Sequence, residues 1–495
     1  MKPPESSSRP ERIDPRWRSP LLGAAAALIL FSRLQHGYLA NYDDCYYAEK
    51  AKEMFATGDW LTPHFAGHVR LDNPPLFLWL VATGFRLFGV ADYGAVFFSA
   101  LAGVCSVLLL VRIARRLGFD DFEAWGAGVI LLATPYFLKY AQHAMMDVVL
   151  TLFFLVAIDG YLTGLDGKRR GFVQLGLATG LGVLTKSVLG LLPLAVVVAH
   201  RILFRRFRAV AEPGLWIATS VALLVGAPWF VYELAIHGDQ LVSEHFRWLI
   251  WNRGFIEPAG GGGGSDPFGY LTRIASVYWP WLPFAAAGVW METARALDRS
   301  RDREERSKAT LILCWLIVVL GTMSLGHAKK LWYVMSVFPC LGLLSARAAG
   351  RLIPAAPARR RAVTWATALL LAVAALVALT PLGSSRPREP ELHQIALIAR
   401  TTVPAGQKVM NLDAPYWDIA NHFLFYSDHD LTEPLHDPAQ IREGLRRGGF
   451  ALVRAERVGE IVGSDAAAVS VLVRSGSWAL LTAAPPSALV LSGAP

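Results

Sequence analysis

Apolar stretches of about 20 residues, the length that crosses a bilayer as helix, recur along this chain. Short loops rich in arginine and lysine separate them. That pattern excludes a single water-soluble core. Of 495 residues, 54% are apolar or aromatic and only 18% are charged, against about 25% charged in a soluble domain. Disorder and an ordinary cytosolic enzyme are both excluded. The net charge of +9 sits in the loops between apolar blocks, which is the positive-inside arrangement and calls for no nucleic-acid partner.

Threading by this rule gives a mainly α, polytopic transmembrane bundle. A cytoplasmic tail (1–19) precedes a first crossing from Pro20 to Gln35, which reads as an uncleaved signal anchor. A polar, aromatic-rich outer loop (37–93) follows. Within it Leu76–Gly89, short and carrying Arg86, is expected to lie in the membrane plane. Gly94–Val111 then returns to Arg112, Arg115 and Arg116. The next expected crossings are Phe122–Tyr140, Val148–Leu165, Gly171–Thr185, Val188–Leu203 and Leu215–Leu234. After these come Tyr270–Met291, Ala309–Leu325, Leu331–Ala346 and Ala362–Leu382. The total is about eleven, with every basic cluster of three or more residues on one side. A glycine run, Gly260–Gly264, reads as a hinge in a long outer loop. The transmembrane domain therefore covers 20–383. From 384 to 495, helical stretches (Glu391–Arg400, Pro438–Arg446) alternate with β-prone runs (Lys408–Leu412, Phe450–Arg454, Ala468–Val473, Trp478–Leu481), as in a small α/β domain. Topology places that domain outside the cytoplasmic membrane, facing the periplasm or exterior. Cys45, Cys105, Cys314 and Cys340 form neither a disulfide framework nor a metal-type spacing.

The outer side collects the polar residues that lack an obvious structural task. Asn41-Tyr42-Asp43-Asp44-Cys45-Tyr46-Tyr47-Ala48-Glu49 is the densest group. Its adjacent carboxylates can bind a divalent cation or supply a general base and its partner. Alternatively Asp43 or Asp44 caps a helix running from Cys45 to Thr57. Asp147, an isolated carboxylate between apolar neighbours, is costly near hydrocarbon and marks a functional site unless it too is a cap. Lys186, Arg247, Arg253, His327, Lys329 and Lys330 are bases on the side where bases are scarce. Either they snorkel to headgroups or together they hold a phosphate. No cofactor beyond such a cation is called for.

These residues also carry a resemblance. Asp43-Asp44-Cys45-Tyr46-Tyr47-Ala48-Glu49, Glu53 to Trp60 and Asp72-Asn73-Pro74-Pro75-Leu76 resemble the first outer loop of the dolichyl-phosphate-mannose protein mannosyltransferase family. Bacterial relatives that attach aminoarabinose to lipid A share that loop. The resemblance implies a membrane glycosyltransferase of the C superfamily, taking a sugar from a polyprenyl-phosphate carrier at the outer face. It assigns Asp43 as base or acceptor-orienting group and Asp147 as the assisting carboxylate. Asp44, Glu49 and Asp72 are auxiliary acidic or acceptor-side residues. Lys186, Arg247, His327, Lys329, Lys330 and Tyr333 face the lipid phosphate. The partners implied are the polyprenyl-linked sugar, membrane lipids and an acceptor protein, lipid or glycan. Two positions depart from the pattern. Asn73 replaces a phosphate-facing lysine, and a His-x-x-Pro-Phe-Tyr-Tyr motif is represented only by Gly264-Ser265-Asp266-Pro267-Phe268-Gly269-Tyr270.

Two other classes fit many helices and outer charges: a transporter or flippase of lipid-linked saccharides, and a scaffold displaying the C-terminal domain. Transporters carry repeats and mid-bilayer polar groups, which the sequence lacks. A scaffold has no use for both Asp43 and Asp147.

Overall fold

The computed structural model describes residues 15–32, 34, 39, 43–205, 212–256, 268–327, 329–380, 390–414, 416–463 and 469–483. The glycine hinge, Asn41, Tyr42 and most of the N-terminal tail lie outside them. Helices α1 (Pro15–Phe31), α2 (Asp43–Thr57), α3 (Leu76–Phe88), α4 (Asp92–Arg116), α5 (Asp121–Leu132), α6 (Pro135–Ala141) and α7 (Met146–Leu165) come first. They are followed by α8 (Arg169–Lys186), α9 (Leu192–Arg205), α10 (Pro213–Leu241), α11 (Gly269–Tyr278), α12 (Leu282–Leu297) and α13 (Arg303–Ser324). The last six are α14 (Val337–Leu352), α15 (Ala356–Leu379), α16 (Pro390–Thr402), α17 (Tyr416–Ser427), α18 (Pro438–Arg446) and α19 (Val458–Val462). The strands are β1 (His64–Phe65), β2 (His68–Val69), β3 (Val409–Leu412), β4 (Leu431–Leu435), β5 (Phe450–Arg454), β6 (Ser470–Ser475) and β7 (Trp478–Thr482).

The chain forms two compact units. The first contains the residues up to His36, Trp60–Thr62 and Arg70–Ser384. Among its described residues six helical stretches are long and apolar enough to cross a membrane: Asp92–Arg116, Met146–Leu165, Arg169–Phe204, Pro213–Ile256, Arg303–Ser324 and Ala356–Leu379. This is a multi-pass membrane protein. Exposed tryptophans (Trp17, Trp216, Trp290, Trp365) flank the arginine-rich segments, as interfacial anchors do. Helix α3 has 13 residues, about 20 Å, and falls short of the hydrocarbon core.

Two expected crossings are each split into two α-helices, and a third, Leu331–Ala346, opens with a separate 3-10 turn before α14. Phe122–Tyr140 divides into α5 and α6, because Pro135 has no N–H to continue the ladder and crowds the preceding turn. Tyr270–Met291 divides into α11 and α12 around Trp279-Pro280-Trp281 for the same reason. Conversely, α10 runs past the expected end at Leu234 and continues into a π-helical segment, Val242–Ile256.

Helices α7 and α8 pack as a close antiparallel hairpin. A methyl on Gly171 would fall 2.2 Å from the Gly164 nitrogen and 2.4 Å from the Gly160 oxygen, so the backbones meet where no side chain fits. At the end of the bundle near this turn, Asp159 accepts from Arg112 (3.0 Å) and Arg116 (2.8 Å). Arg347 joins α14 to Glu123 of α5 (2.7 Å) and to Glu292 of α12 (2.9 Å).

The second unit combines Gly37–Asp59, Pro63–Val69 and Ser385–Pro495. Part of the first-loop sequence thus packs with the C-terminal segment, α2 against α17. The strand order is β4-β3-β5-β7-β6. Strand β3 is parallel to β4 and β5, and β7 is antiparallel to β5 and β6. Leu412, Ala451, Val453, Ala479 and Leu481 form its core with Ile441 and Leu445 of α18. Strands β3, β5, β6 and β7 overlap the four expected β-prone runs. Strand β4 was not among them: it contains Pro434, tolerated because this strand is at the sheet edge.

Candidate active site

Helix α7 starts after Met145, whose side chain makes no cap bond, and Asp147 lies in its first turn. Helix α8 ends at Lys186, opposite that turn in the hairpin. Nζ of Lys186 lies 2.5 Å from Oδ1 of Asp147. Asp147 is 1% exposed, and its Oδ2 is buried without a hydrogen-bond partner among the described residues. One oxygen of this carboxylate is therefore held by a cation, while the other keeps its lone pairs for an incoming donor. Lys186 also faces the ring of Tyr333, 5.1 Å from its centroid.

Tyr333 lies in a 3-10 turn, Leu331–Val334. Next to it, Trp332 stacks at 5.9 Å on Tyr140, and Lys330 Nζ sits 5.5 Å from the Trp332 ring centroid. The turn thus sets Tyr333 against Lys186, with the Trp332 ring 6.1 Å beyond it and the Lys330 ammonium beyond that. Lys329 is different: it is buried and donates to the carbonyls of Ser324 and Gly326, satisfying orphan acceptors at the end of α13. Its backbone carbonyl takes a bond from Arg273.

The remaining expected residues are more scattered. The His327 backbone N–H donates to Gly254 (2.6 Å), and its ring Nδ1 is buried without a hydrogen-bond partner among the described residues. Arg247 is exposed on the π-helical segment. Asp72 accepts from the side chain of Asn73 (2.8 Å), the residue standing in place of the family's lysine. Asp43, Asp44 and Glu49 belong to the second unit.

In that unit α2 begins at Asp43, two residues before the expected start. Asp43 and Asp44 are consequently residues of the first turn, where negative charge complements the helix dipole. Glu49 is buried and accepts from Lys52 (2.9 Å). Burial raises its pKa from 4.5 to about 7, against the lowering effect of Lys52. Glu53 receives the N–H groups of Ala66 (2.6 Å) and Gly67 (3.0 Å), fixing on α2 the tight turn between β1 and β2. Both turn residues have positive φ, as a two-residue hairpin requires.

Several contributors were not read from the sequence. Ser187, at φ +48, bonds through its hydroxyl to His245 Nε2 (2.7 Å), and His245 Nδ1 lies 3.2 Å from the Leu71 carbonyl. Glu244 receives the Leu71 N–H (2.8 Å). These bonds tie the segment before Asp72 to the turn after Lys186. Adjacency of Ser187 to Lys186 was the only local signal. Among the described residues no three His, Cys, Asp or Glu side chains are grouped to hold a metal ion.

Residues 72–232, which include Asp72, Asp147 and Lys186, match the sequence profile of the dolichyl-phosphate-mannose-protein mannosyltransferases. An undecaprenyl phosphate-alpha-4-amino-4-deoxy-L-arabinose arabinosyl transferase of Pseudomonas paraeruginosa is 31% identical over 379 residues, 74% of this chain and 66% of that protein. A second such enzyme, from Pseudomonas fluorescens, is 28% identical over 396 residues, 77% of this chain and 69% of the relative. The chain spans about two thirds of these relatives' length. The crystal structure of ArnT from Cupriavidus metallidurans bound to undecaprenyl phosphate superimposes with a TM-score of 0.74 at 20% identity, covering 96% of this chain and 99% of that one. The chain belongs to this family of membrane glycosyltransferases. An oligosaccharyltransferase from Archaeoglobus fulgidus shares the fold more distantly, with a TM-score of 0.55 at 12% identity, covering 88% of this chain and 68% of that one.

Proposed function

We propose that this transferase moves a sugar from a polyprenyl-phosphate carrier to an acceptor hydroxyl or amine at the outer face of the cytoplasmic membrane. The observation that carries the reading is the buried Asp147 carboxylate, held on one oxygen by Lys186 and open on the other. The solved ArnT holds undecaprenyl phosphate, and the curated relatives are named for undecaprenyl-phosphate-linked aminoarabinose. Both support a donor of this class.

In the reaction the acceptor oxygen or nitrogen forms a bond to the anomeric carbon. The bond from that carbon to the phosphate oxygen breaks, and its electron pair goes to the phosphate. A carboxylate takes the acceptor's proton, an effect worth about 10²–10⁴-fold. Asp147 is one candidate for this step, and Asp43, by the resemblance, is the other. Lys330 and the N–H groups of Lys186 not engaged by Asp147 stabilise the phosphate as its charge grows. Lys329 contributes less, because Ser324 and Gly326 already engage its ammonium.

Mass spectrometry of envelope glycolipids and glycoproteins, with and without the protein, tests this function. A sugar-sized mass is expected to vanish on deletion and to return with the wild-type chain but not with Asp147→Asn. An unchanged profile would overturn the reading. A reporter active only in the cytoplasm, fused after Pro495, is expected to be silent. An active fusion would refute the outer placement.

A further inference from the structure

Within the second unit Leu39 and α2 are fastened to α17 at successive points. The Leu39 N–H donates to the Tyr426 hydroxyl (2.8 Å), and Cys45 Sγ lies 3.8 Å from His422 Nδ1. The third point is Lys52. Its ammonium reaches Glu49 on its own helix (2.9 Å), the Phe425 carbonyl in the last turn of α17 (3.1 Å) and the Asp428 carboxylate just beyond it (2.6 Å). Three N–H donors meet three acceptors, so the ammonium is saturated. Phe425 O is one of the terminal carbonyls that α17 cannot satisfy internally. Asp428 has φ +62, and its other oxygen takes Arg400 of α16 (2.8 Å). One lysine thus joins the acidic helix to two helices of the C-terminal domain.

Adjacent charge repulsion between Asp43 and Asp44 does not require this arrangement, and neither does burial of a sheet face. What Lys52 does is fix α2 against rotation and sliding. Asp43 lies nine positions earlier on the same rigid helix, about 14 Å along its axis. We infer that Lys52 is a positioning residue for sugar transfer: through Phe425 and Asp428 it makes the C-terminal domain the mount on which α2 carries its acidic pair. The inference rests on the reading that α2 contributes to transfer. It gives the C-terminal domain a task in the reaction that needs no ligand of its own.

The test is steady-state kinetics of the full-length purified protein with polyprenyl-phosphate sugar extracted from its host. Lys52→Met is expected to lower kcat roughly 10–100-fold, the scale of a displacement near 1 Å, and to leave the donor KM within about threefold. Lys52→Arg, which keeps the charge and the donors, is expected to recover most of the lost rate. Asp428→Asn, which leaves Lys52 in place, is expected to lower kcat less and serves if Lys52→Met does not fold. Wild-type kcat in both Lys52→Met and Asp428→Asn would overturn the inference, and so would an equal loss in Lys52→Met and Lys52→Arg. Asp43→Asn, measured alongside, separates the two readings. An active Asp43→Asn with an impaired Lys52→Met removes Asp43 as base but leaves α2 positioned by Lys52. An inactive Asp43→Asn with wild-type kcat in both Lys52→Met and Asp428→Asn removes only the positioning role.

Discussion

Lys186→Met removes the cation 2.5 Å from Asp147 Oδ1 and leaves a carboxylate that is 1% exposed without its only ionic partner among the described residues. Breaking one side of a buried ion pair costs about 3–5 kcal/mol, whereas replacing both sides with apolar groups of similar size is often neutral or stabilising. The single variants Lys186→Met and Asp147→Leu should therefore melt early in detergent. The double variant should return to within about 1 kcal/mol of wild type. Transfer should follow a different course. If Asp147 takes the acceptor proton, Asp147→Leu and the double variant lose a factor on the order of 10² or more, because stability restored with leucine restores no base. The assays are a thermal melt and a transfer rate on the same purified samples. Recovery of both stability and transfer in the double variant would refute the reasoning and make the pair a packing device.

The other predictions concern both units. Asp43→Asn should insert normally and lose transfer by a factor on the order of 10², with Asp44→Asn milder; equal activity of Asp43→Asn and wild type would remove its role as base. Lys330→Ala should raise the donor KM about 10–100-fold, the scale of one charge-assisted bond, while Lys329→Ala should chiefly lower thermal stability because it uncaps α13. Titration curves of the purified protein that give the reverse pattern would transfer the phosphate role to Lys329. Glu49 is faced by Lys52 and Glu53 on α2 and by Asp428 after α17, and burial holds its pKa near 7 instead of 4.5. Because the folded value is raised, its contribution is full below about pH 4.5 and is lost as pH rises through 7. At about 1.4 kcal/mol per tenfold change in proton affinity, that loss is on the order of 3 kcal/mol. Glu49→Gln should flatten the decline in melting temperature between pH 5 and 8, and an unchanged decline would assign it to other groups.

Periodicity and loop charge were enough to read the helical membrane unit, because lipid leaves a spanning segment few alternatives to helix. They failed at Pro135 and Pro280, where a single imino acid ends a helix within an unbroken apolar run. Asp147 and Lys186 stood out as charges among apolar neighbours. Their mutual pairing was not legible, since it depends on where α8 ends relative to the start of α7. Lys329 and Lys330 look alike in sequence, yet one faces the carbonyl end of α13 and the other an indole ring. The link of α2 to α17 joins residues more than 370 positions apart, beyond any local pattern.

The glycine contact between α7 and α8 determines how the geometry of the Asp147–Lys186 pair can be damaged. Gly171 meets Gly160 and Gly164 near the closed end of the hairpin, whereas Lys186 lies about 22 Å further along α8. A helix conveys an axial shift almost undiminished over that distance, and one residue of slippage is about 1.5 Å. Such a shift is large compared with what a 2.5 Å contact tolerates. The register of the Asp147–Lys186 pair is therefore calibrated at the far end of the bundle. A survey of random substitutions for lost transfer should return a second group of positions there, touching no reactant and acting as if the lysine had been moved by hand.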